Sequence, residues 1–290
     1  MMNIKKIDMH AHIGIKDTDV FPTCGKLLQC YELLNIEKGV LLPLSTAEGR
    51  YPDLTSECYY KASQTYPERL FYFCDVDRKY VSADCDADFL NILQYNQSRG
   101  AKGLGELAFQ LYADDPKLDK LFSACEEVGF PVTIHLATKF GNTYGIVDEL
   151  GLPRLERVLQ KYPKLIVLGH SQPFWAEISS DITEETRNDY PEGKVTKGRI
   201  WELMTKYENL YCDLSAGSGM NALMRDPENA AEFLRTFSDR VLYGCDMVAA
   251  SCQWHLNFDA FLDDLVESGM LTVEVYRKFV RENAIRLLKL

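Results

Sequence analysis

The chain has 290 residues, of which 46% are hydrophobic and 26% are charged. This is the composition of a folded globular protein and not of a disordered one. Its 32 Lys and Arg against 43 Asp and Glu leave a formal net charge of −11, which argues against nucleic acid or an anionic membrane as the main partner. No apolar run reaches the length of a membrane span or a signal peptide, so we expect a cytoplasmic protein with no membrane partner.

Eight short and mostly apolar segments are predicted to be β-strands. Near-continuous apolar runs are typical of parallel strands that helices cover on their outer face. The predicted strands are 4–9, 38–44, 70–76, 101–108, 131–137, 165–169, 210–214 and 241–245.

Amphipathic segments separate these strands and are predicted to be helices. They are 25–36, 53–66, 86–99, 116–129, 152–162, 196–207 and 227–237, followed by the terminal helices 258–267 and 273–288. The alternation predicts a (β/α)8 TIM barrel formed by one domain over residues 1–290, with C-terminal helices. A doubly wound open sheet is the main competitor, but the chain has neither a G-x-G-x-x-G motif nor a phosphate-binding loop to favour it.

Residues 171–195 form the longest irregular stretch, between the sixth strand and its helix. The stretch contains Pro173, Trp175 and Pro191, and it is too long for an ordinary barrel loop. We expect it to be a lid or part of a subunit interface in a homo-oligomer.

The histidines carry the main functional signal. Four of the five lie at the predicted C-terminal ends of strands: His10, His12, His135 and His170. Residues two apart on a strand point the same way, so the two histidines of the His-x-His motif can face the barrel mouth together. Glu106 and Asp246 end two further strands. Active sites of barrel enzymes lie at this face, so six donor side chains are expected to converge there.

Imidazole and carboxylate donors predict a divalent transition-metal site. Zinc is the first expectation, with manganese, iron or nickel as alternatives, and the number of ions is one or two. A bound ion can activate water at neutral pH. Asp246 is then expected to transfer the proton, and His170 to polarise the substrate or to bind a second ion.

Basic and aromatic residues after the strands are candidates for substrate binding. Arg50, Arg78 and Lys139 follow the second, third and fifth strands, where a cation would suit a small substrate that carries a carboxylate or a phosphate. Trp175 is a candidate pocket wall. Tyr144 and Trp254 are alternatives in that role.

Other polar residues are given smaller roles. His255 is expected to be structural or to lie at the edge of the substrate site, and Asp213, at the end of the seventh strand, is expected to be a turn or cap residue. Cys74 and Cys245 also lie near strand ends, but neither has a basic neighbour in the sequence, which argues against a cysteine nucleophile.

Two sequence segments resemble the amidohydrolase superfamily. The run Ile-Asp-Met-His-Ala-His at positions 7–12 resembles its first-strand signature. The run Arg-Glu-Asn-Ala-Ile-Arg-Leu-Leu at positions 281–288 resembles the C-terminal helix of the amidohydrolase-related branch, which includes aminocarboxymuconate-semialdehyde decarboxylase-like proteins. The resemblance spans nearly the whole chain.

The resemblance implies a role for each donor. His10, His12 and His135 would be metal ligands, and Asp246 would be both a ligand and the general base. His170 would bind a second ion, or would act in catalysis if there is one ion.

The fourth strand departs from the commonest pattern of the superfamily. Many two-metal members bridge their ions with a carbamylated lysine on this strand. Here Lys102 is at the start of the strand and Glu106 at the end, which resembles the members that have a bridging glutamate. A salt-bridged Glu106 outside the ligand set is the alternative.

We therefore expect a metal-dependent hydrolase that uses metal-activated water on an amide, lactone, imine or ester bond of a small molecule. A nonoxidative decarboxylase of a carboxylated small molecule is the alternative. A non-catalytic metal-binding protein is the second alternative, against which Asp246 argues because such a protein needs no base.

Overall fold

The computed structural model describes residues 2–16, 18, 20–46, 54–82, 87–141, 144–247 and 251–290. Within them, helices alternate with strands that all pair in parallel. The eight strands that form the barrel wall are β1 (Lys6–Ala11), β2 (Ile36–Leu41), β4 (Leu70–Tyr72), β5 (Leu104–Tyr112), β6 (Val132–Ala137), β8 (Val167–His170), β9 (Leu210–Asp213) and β10 (Val241–Leu242). Two short strands, β3 (Ser45–Thr46) and β7 (Gly145–Val147), pair with β5 near the mouth.

The helices cover the outside of this wall. They are α1 (Cys24–Leu33), α2 (Ser56–Thr65), α3 (Arg78–Ser82), α4 (Phe89–Ser98), α5 (Pro116–Val128), α6 (Pro153–Lys161), α7 (Gln172–Ala176), α8 (Arg199–Lys206), α9 (Ala216–Met224), α10 (Pro227–Thr236), α11 (Gln253–Glu267), α12 (Val273–Arg277) and α13 (Asn283–Leu288). A π-helical turn, Lys278–Glu282, joins the last two.

The wall consists of two sheets. One contains β1, β2 and β4, and the other runs from β10 through β9, β8 and β6 to β5. A bridge between Cys74 and Leu104 closes one boundary. At the other, Met9 N–H donates to the Tyr243 carbonyl over 3.0 Å and Asp246 N–H to the His10 carbonyl over 2.7 Å. The predicted TIM barrel is confirmed.

Apolar side chains lie both inside and outside the wall. A large cluster fills the layer between strands and helices. A smaller cluster comes from β1, β2, β8 and β10 together with α13. Its fully buried strand members include Ile7, Met9, Val40, Leu168 and Leu242, which form a packed interior below the barrel mouth.

Several predicted boundaries differ from the structure. The first strand is 6–11 and not 4–9, and the fourth extends to Tyr112 because it also pairs with β3 and β7. Helix α11 begins at Gln253, five residues before the predicted start. Helices α3, α7 and α9 were not predicted. All three are short, α7 lies in the stretch 171–195 that was predicted to be irregular, and α9 contains two glycines, which have low helix propensity.

The segment 171–195 packs against the barrel. Trp175 Nε1–H donates to the Asp213 carbonyl over 2.9 Å. The guanidinium of Arg187 is fully buried and donates to the Asp148 carbonyl over 3.0 Å. Asn221 Nδ2 donates to the Pro191 carbonyl over 3.0 Å. These contacts tie the segment to β9, to the residue that follows β7 and to α9.

None of the helices in the described ranges combines the length and the apolar character that a membrane span needs.

Replacing Gly198 by Ala should destabilise the docked segment. A Cβ at this position would lie 2.4 Å from the carbonyl carbon of Ser179 and 2.7 Å from the Glu177 oxygen, and backbone atoms cannot move aside cheaply. We expect the free energy of unfolding in urea to fall by about 1–3 kcal/mol. Gly25→Ala is the matched control, since a Cβ there meets nothing within 4 Å; equal stability of the two variants would contradict the packing.

Candidate metal centre

The donor side chains predicted from the sequence meet at one end of the barrel. His10 lies on β1 and His12 just beyond it, His135 lies on β6, and His170 is the last residue of β8. Glu106 is the third residue of β5 and not its end, because the strand extends further than predicted. Asp246 follows β10 with a φ of 48°, a conformation that aspartate tolerates better than most residues.

Four of the donors form a compact cage. His10 Nε2 lies 3.1 Å from His12 Nε2, and Glu106 Oε2 lies 3.3 Å from His12 Nε2 and 3.6 Å from His10 Nε2. Asp246 Oδ1 lies 3.5 Å and 3.8 Å from the same two nitrogens. Ligands at about 2.0–2.2 Å from one ion are about 3.0–3.6 Å apart at tetrahedral or octahedral angles. His10, His12 and Asp246 thus form a group whose donor atoms are close enough to hold one ion, and Glu106 lies beside their two imidazole nitrogens.

The hydrogen bonds of the Nδ1 atoms of His10 and His12 show why a cation fits between the Nε2 atoms of the same two rings. His12 Nδ1 lies 2.7 Å from the Leu42 carbonyl, which can only accept, so Nδ1 carries the proton. His10 Nδ1 lies 2.6 Å from Asp213 Oδ2 and donates in the same way. In the neutral rings both Nε2 atoms are then acceptors that face each other. This buried arrangement favours a positive charge between the two nitrogens, which a proton on His10 or a divalent ion can supply.

The remaining two histidines have a different relation to the cage. His135 Nδ1 is only 2.5 Å from Glu106 Oε1, which is a hydrogen-bond distance and shorter than the spacing of two ligands on one ion. His170 Nε2 lies 3.7 Å from Glu106 Oε1 and 3.7 Å from Asp246 Oδ2. Glu106, His135 and His170 form a second group with suitable donors, but His135 must first separate from Glu106 before the two can share an ion.

Charges in the site are strongly perturbed by burial and by each other. Burial opposes ionisation of Glu106, but the charge of His135 and the contacts with three histidines hold the pKa of Glu106 well below the usual range. Burial and the nearby His10 lower the pKa of His170 to about 4, so its ring is neutral near pH 7. Burial also opposes protonation of His10, yet Asp213 and Asp246 outweigh it and raise its pKa. The site thus combines ionised carboxylates with a strong attraction for positive charge.

Asp213 and Ser215 are neighbours of the site that the sequence did not predict. Asp213 holds His10 Nδ1, and its other oxygen accepts from the Ser215 N–H over 3.0 Å. The Ser215 hydroxyl lies 2.9 Å from His170 Nδ1. Asp213 also forms a metal-suited group with His10 and His170, but its 2.6 Å contact with His10 is a hydrogen bond. Its place at the end of β9 was the available signal.

The predicted substrate residues lie in different environments. Trp175 is a correction: it is 1% exposed and packs against Phe174 and Phe233, so it is a core residue and not a pocket wall. Arg78 Nε–H donates to the Phe109 carbonyl over 2.6 Å, at the start of α3. Lys139 is exposed beyond β6. Arg50 lies outside the described residues.

Aromatic rings flank the cage on two sides. The Tyr144 ring lies 4.3 Å from the ring of His135, and the Phe21 ring lies 5.8 Å from that of His12. Trp254 is exposed. His255 is buried and its Nε2 lies 2.9 Å from the Cys245 carbonyl, which agrees with the structural role considered for it. Phe21 was not predicted, because it lies in a loop without periodic pattern.

Solved structures share the fold over almost the whole chain. A TIM-barrel protein from Bordetella bronchiseptica, itself uncharacterized, has a TM-score of 0.64 and 16% identity and covers 99% of both chains. A 5-carboxyvanillate decarboxylase from Novosphingobium aromaticivorans, complexed with manganese and 4-hydroxy-3-methoxy-5-nitrobenzoic acid, has a TM-score of 0.64 and 16% identity, covering 99% of this chain and 96% of that one. A 2,6-dihydroxybenzoate decarboxylase from Rhizobium has a TM-score of 0.61 and 15% identity, covering 99% of both.

The hydrolase prediction is wrong in the light of these comparisons. The similar structures of stated activity described above are decarboxylases, which corresponds to the alternative expectation. The donors at the strand ends are common to both chemistries, so their pattern could not separate them. A search of curated proteins found no match.

Sequence comparison settles the family. The family model described as Amidohydrolase matches residues 51–290, which is most of the chain. The first-strand His-x-His motif lies before the matched range, and the donors from β5, β6 and β8 and the one after β10 lie within it. The expectation of an enzyme is supported in this general form, and the chain belongs to the amidohydrolase family.

Proposed function

We propose that this protein is a divalent-metal-dependent decarboxylase that removes CO2 from a carboxylated aromatic small molecule without net oxidation. The observation that carries the proposal is the cage formed by His10, His12, Glu106 and Asp246, in which both carboxylates lie 3.3–3.8 Å from the two imidazole nitrogens. The sequence resemblance implies that decarboxylases of this family use a single ion and leave His170 for catalysis. A hydrogen-bonded Glu106–His135 pair is compatible with that arrangement.

The proposed metal is a divalent transition ion. Imidazole and carboxylate donors suit manganese and zinc alike. The 5-carboxyvanillate decarboxylase contains manganese, which makes manganese the first ion to test and zinc, the ion expected from the sequence, the second. A bound ion would hold oxygen atoms of the substrate and stabilise negative charge that develops on them.

Asp246 is the proposed proton donor because it is the accessible acid of the site. Its side chain is 21% exposed, whereas those of Glu106 and His170 are 3% and 1% exposed. In the proposed step the carboxylate of Asp246 takes up a proton from solvent through its exposed edge and delivers it to the ring carbon that bears the carboxylate. The C–C bond to the carboxylate then breaks, its electron pair stays on the ring and restores aromaticity, and CO2 leaves.

His170 is proposed to orient Asp246 and the substrate. Its neutral ring is held by the Ser215 hydroxyl at Nδ1, and its Nε2 lies 3.7 Å from Asp246 Oδ2. A neutral imidazole can accept or donate a hydrogen bond without adding charge beside the ion. Ser215 and Asp213 keep the ring in place from the side away from the substrate.

An aromatic substrate fits the rings around the cage. Tyr144 and Phe21 approach the site from two different loops and offer faces and edges for stacking. Lys139, which is exposed beyond β6, is the proposed partner for a second anionic group of the substrate, and Arg78 is a further candidate. The partner is therefore a small carboxylated molecule, and carboxylated hydroxybenzoates are the first class to assay.

The metal ligands can be tested by elemental analysis. We expect the wild-type protein, loaded with Mn²⁺ or Zn²⁺ and dialysed, to retain about one ion per chain, as one cage predicts. His12→Ala should lose most of it, because the ion would lose one of four donors. Glu202→Ala is the control, since Glu202 is an exposed residue of α8 that pairs with Arg199 and takes no part in the cage. Equal metal content in wild type and His12→Ala would reject the ligand assignment.

The reaction can be tested with Asp246→Asn and labelled solvent. In D2O the product should carry one deuterium at the carbon that lost CO2, detected by NMR and mass spectrometry. Asp246→Asn should lower kcat by about 10²-fold or more, because the variant cannot supply the proton. Asp239→Asn, on an exposed surface beside Lys278, is the control. Products that incorporate ¹⁸O from water without CO2 release would overturn the proposal.

The role of Asp213 can be tested through metal affinity. Asp213→Asn keeps the shape of the side chain but weakens the charged hydrogen bond that keeps His10 Nε2 free for the ion. We expect the Kd for Mn²⁺, measured by titration calorimetry, to rise about 10- to 100-fold, the usual effect of losing a partner behind a ligand. An unchanged Kd would show that His10 is oriented by packing alone.

A further inference from the structure

The boundary between β1 and β10, here called the seam, is important for the site because donors on both sides of it belong to the cage. His10 and His12 come from the β1 side, and Asp246 from the β10 side. In the described residues these strands do not form a regular ladder, and they belong to different sheets. Two backbone hydrogen bonds cross between them, from Met9 to Tyr243 and from Asp246 to His10.

The side chain of Asp8 makes a further connection across the seam. Asp8, on β1, is fully buried. Its Oδ1 accepts from the backbone N–H of His10 over 2.9 Å and from the backbone N–H of Cys245 over 2.8 Å. Its Oδ2 accepts from the Tyr31 hydroxyl over 2.7 Å. One carboxylate oxygen of Asp8 thus joins the backbone of β1, which leads to His10 and His12, to the backbone of the segment that leads to Asp246.

We propose that Asp8 is a positioning residue that sets the separation between the His10–His12 pair and Asp246. The proposal rests on the proposed metal centre and does not involve contact of Asp8 with the ion or the substrate. Cys245 directly precedes Asp246, so its N–H is one residue from the donor. Asp246 N–H in turn donates to the His10 carbonyl over 2.7 Å. The segment before Asp246 is therefore bonded to β1 at consecutive amides.

The positions of the His10 and Cys245 N–H groups require one oxygen at position 8 that can accept from both. Both N–H groups are buried, and a buried N–H without a partner is strongly unfavourable. An asparagine at position 8 would keep an oxygen that can accept from both. An alanine would leave both N–H groups without their acceptor, and the two segments would then move to find other partners or water. The distances between cage donors would change with them.

The test compares Asp8→Ala with Asp8→Asn, and uses Tyr31→Phe as the matched control that removes only the contact to the other oxygen. The probe is Mn²⁺ alone, with its Kd measured by titration and its coordination by electron paramagnetic resonance. We expect Asp8→Ala to raise the Kd at least 10-fold and to alter the spectrum. Asp8→Asn and Tyr31→Phe should stay within about 3-fold of wild type, since each retains an oxygen for both amides.

Two results would overturn the proposal. One is a folded Asp8→Ala protein with wild-type Kd and spectrum. The other is an Asp8→Asn protein as weak as Asp8→Ala, which would mean that the charge matters and not the shared acceptor. If Asp8→Ala does not fold, Asp8→Ser replaces it, because the shorter hydroxyl can reach at most one of the amides and should give an intermediate Kd.

Hydrogen exchange distinguishes failure of this proposal from failure of the metal centre. If the wild-type protein binds neither Mn²⁺ nor Zn²⁺, the proposed function fails. The role of Asp8 at the seam is still measured by exchange of the His10 and Cys245 amides in metal-free protein. We expect their exchange to be at least 10-fold faster in Asp8→Ala than in Asp8→Asn. Equal rates in the two variants would refute the seam contact itself.

Discussion

The hydrogen bond from His10 Nδ1 to Asp213 holds together the arrangement on which the site depends. It spans from β1 to β9 and fixes the proton on the outer nitrogen of the ring. The inner nitrogen is then an acceptor, which faces the equivalent acceptor of His12 at 3.1 Å. Two buried lone pairs at this distance repel each other unless a proton or a metal ion lies between them. The attraction of the site for positive charge therefore comes in part from a carboxylate outside the cage.

The periodic parts of the fold could be predicted because their cause is local. Apolar runs and amphipathic segments alternate along the chain, and all eight wall strands were placed within a few residues. The short helices α3 and α9 were missed because five to nine residues carry too little pattern. Trp175 was misplaced for a related reason. An indole in an irregular segment gives no sign of whether it faces the pocket or, as here, donates to the carbonyl of Asp213.

The candidate site was predicted in part. The strand-end rule brought the six predicted donors to one end of the barrel, and they lie there. The rule could not show that His135 bonds to Glu106 and leaves one compact cage. A hydrogen bond of 2.5 Å and the spacing of two ligands on one ion differ by only about an ångström or less. Ser215 and Asp213 lack a sequence motif, since their role comes from contact with residues far away in the chain. The reaction was predicted wrongly, since one fold and one set of donors support more than one chemistry.

The division of the wall into two sheets has a consequence for how this protein would respond to metal. His10 belongs to the three-stranded sheet and His12 lies just beyond its first strand, while Glu106 comes from the other sheet and Asp246 from just beyond its last strand. An ion held by all four would act as a cross-link between the two sheets, in addition to the backbone hydrogen bonds that join them at both boundaries. Binding energy would then add directly to the resistance of the barrel to opening.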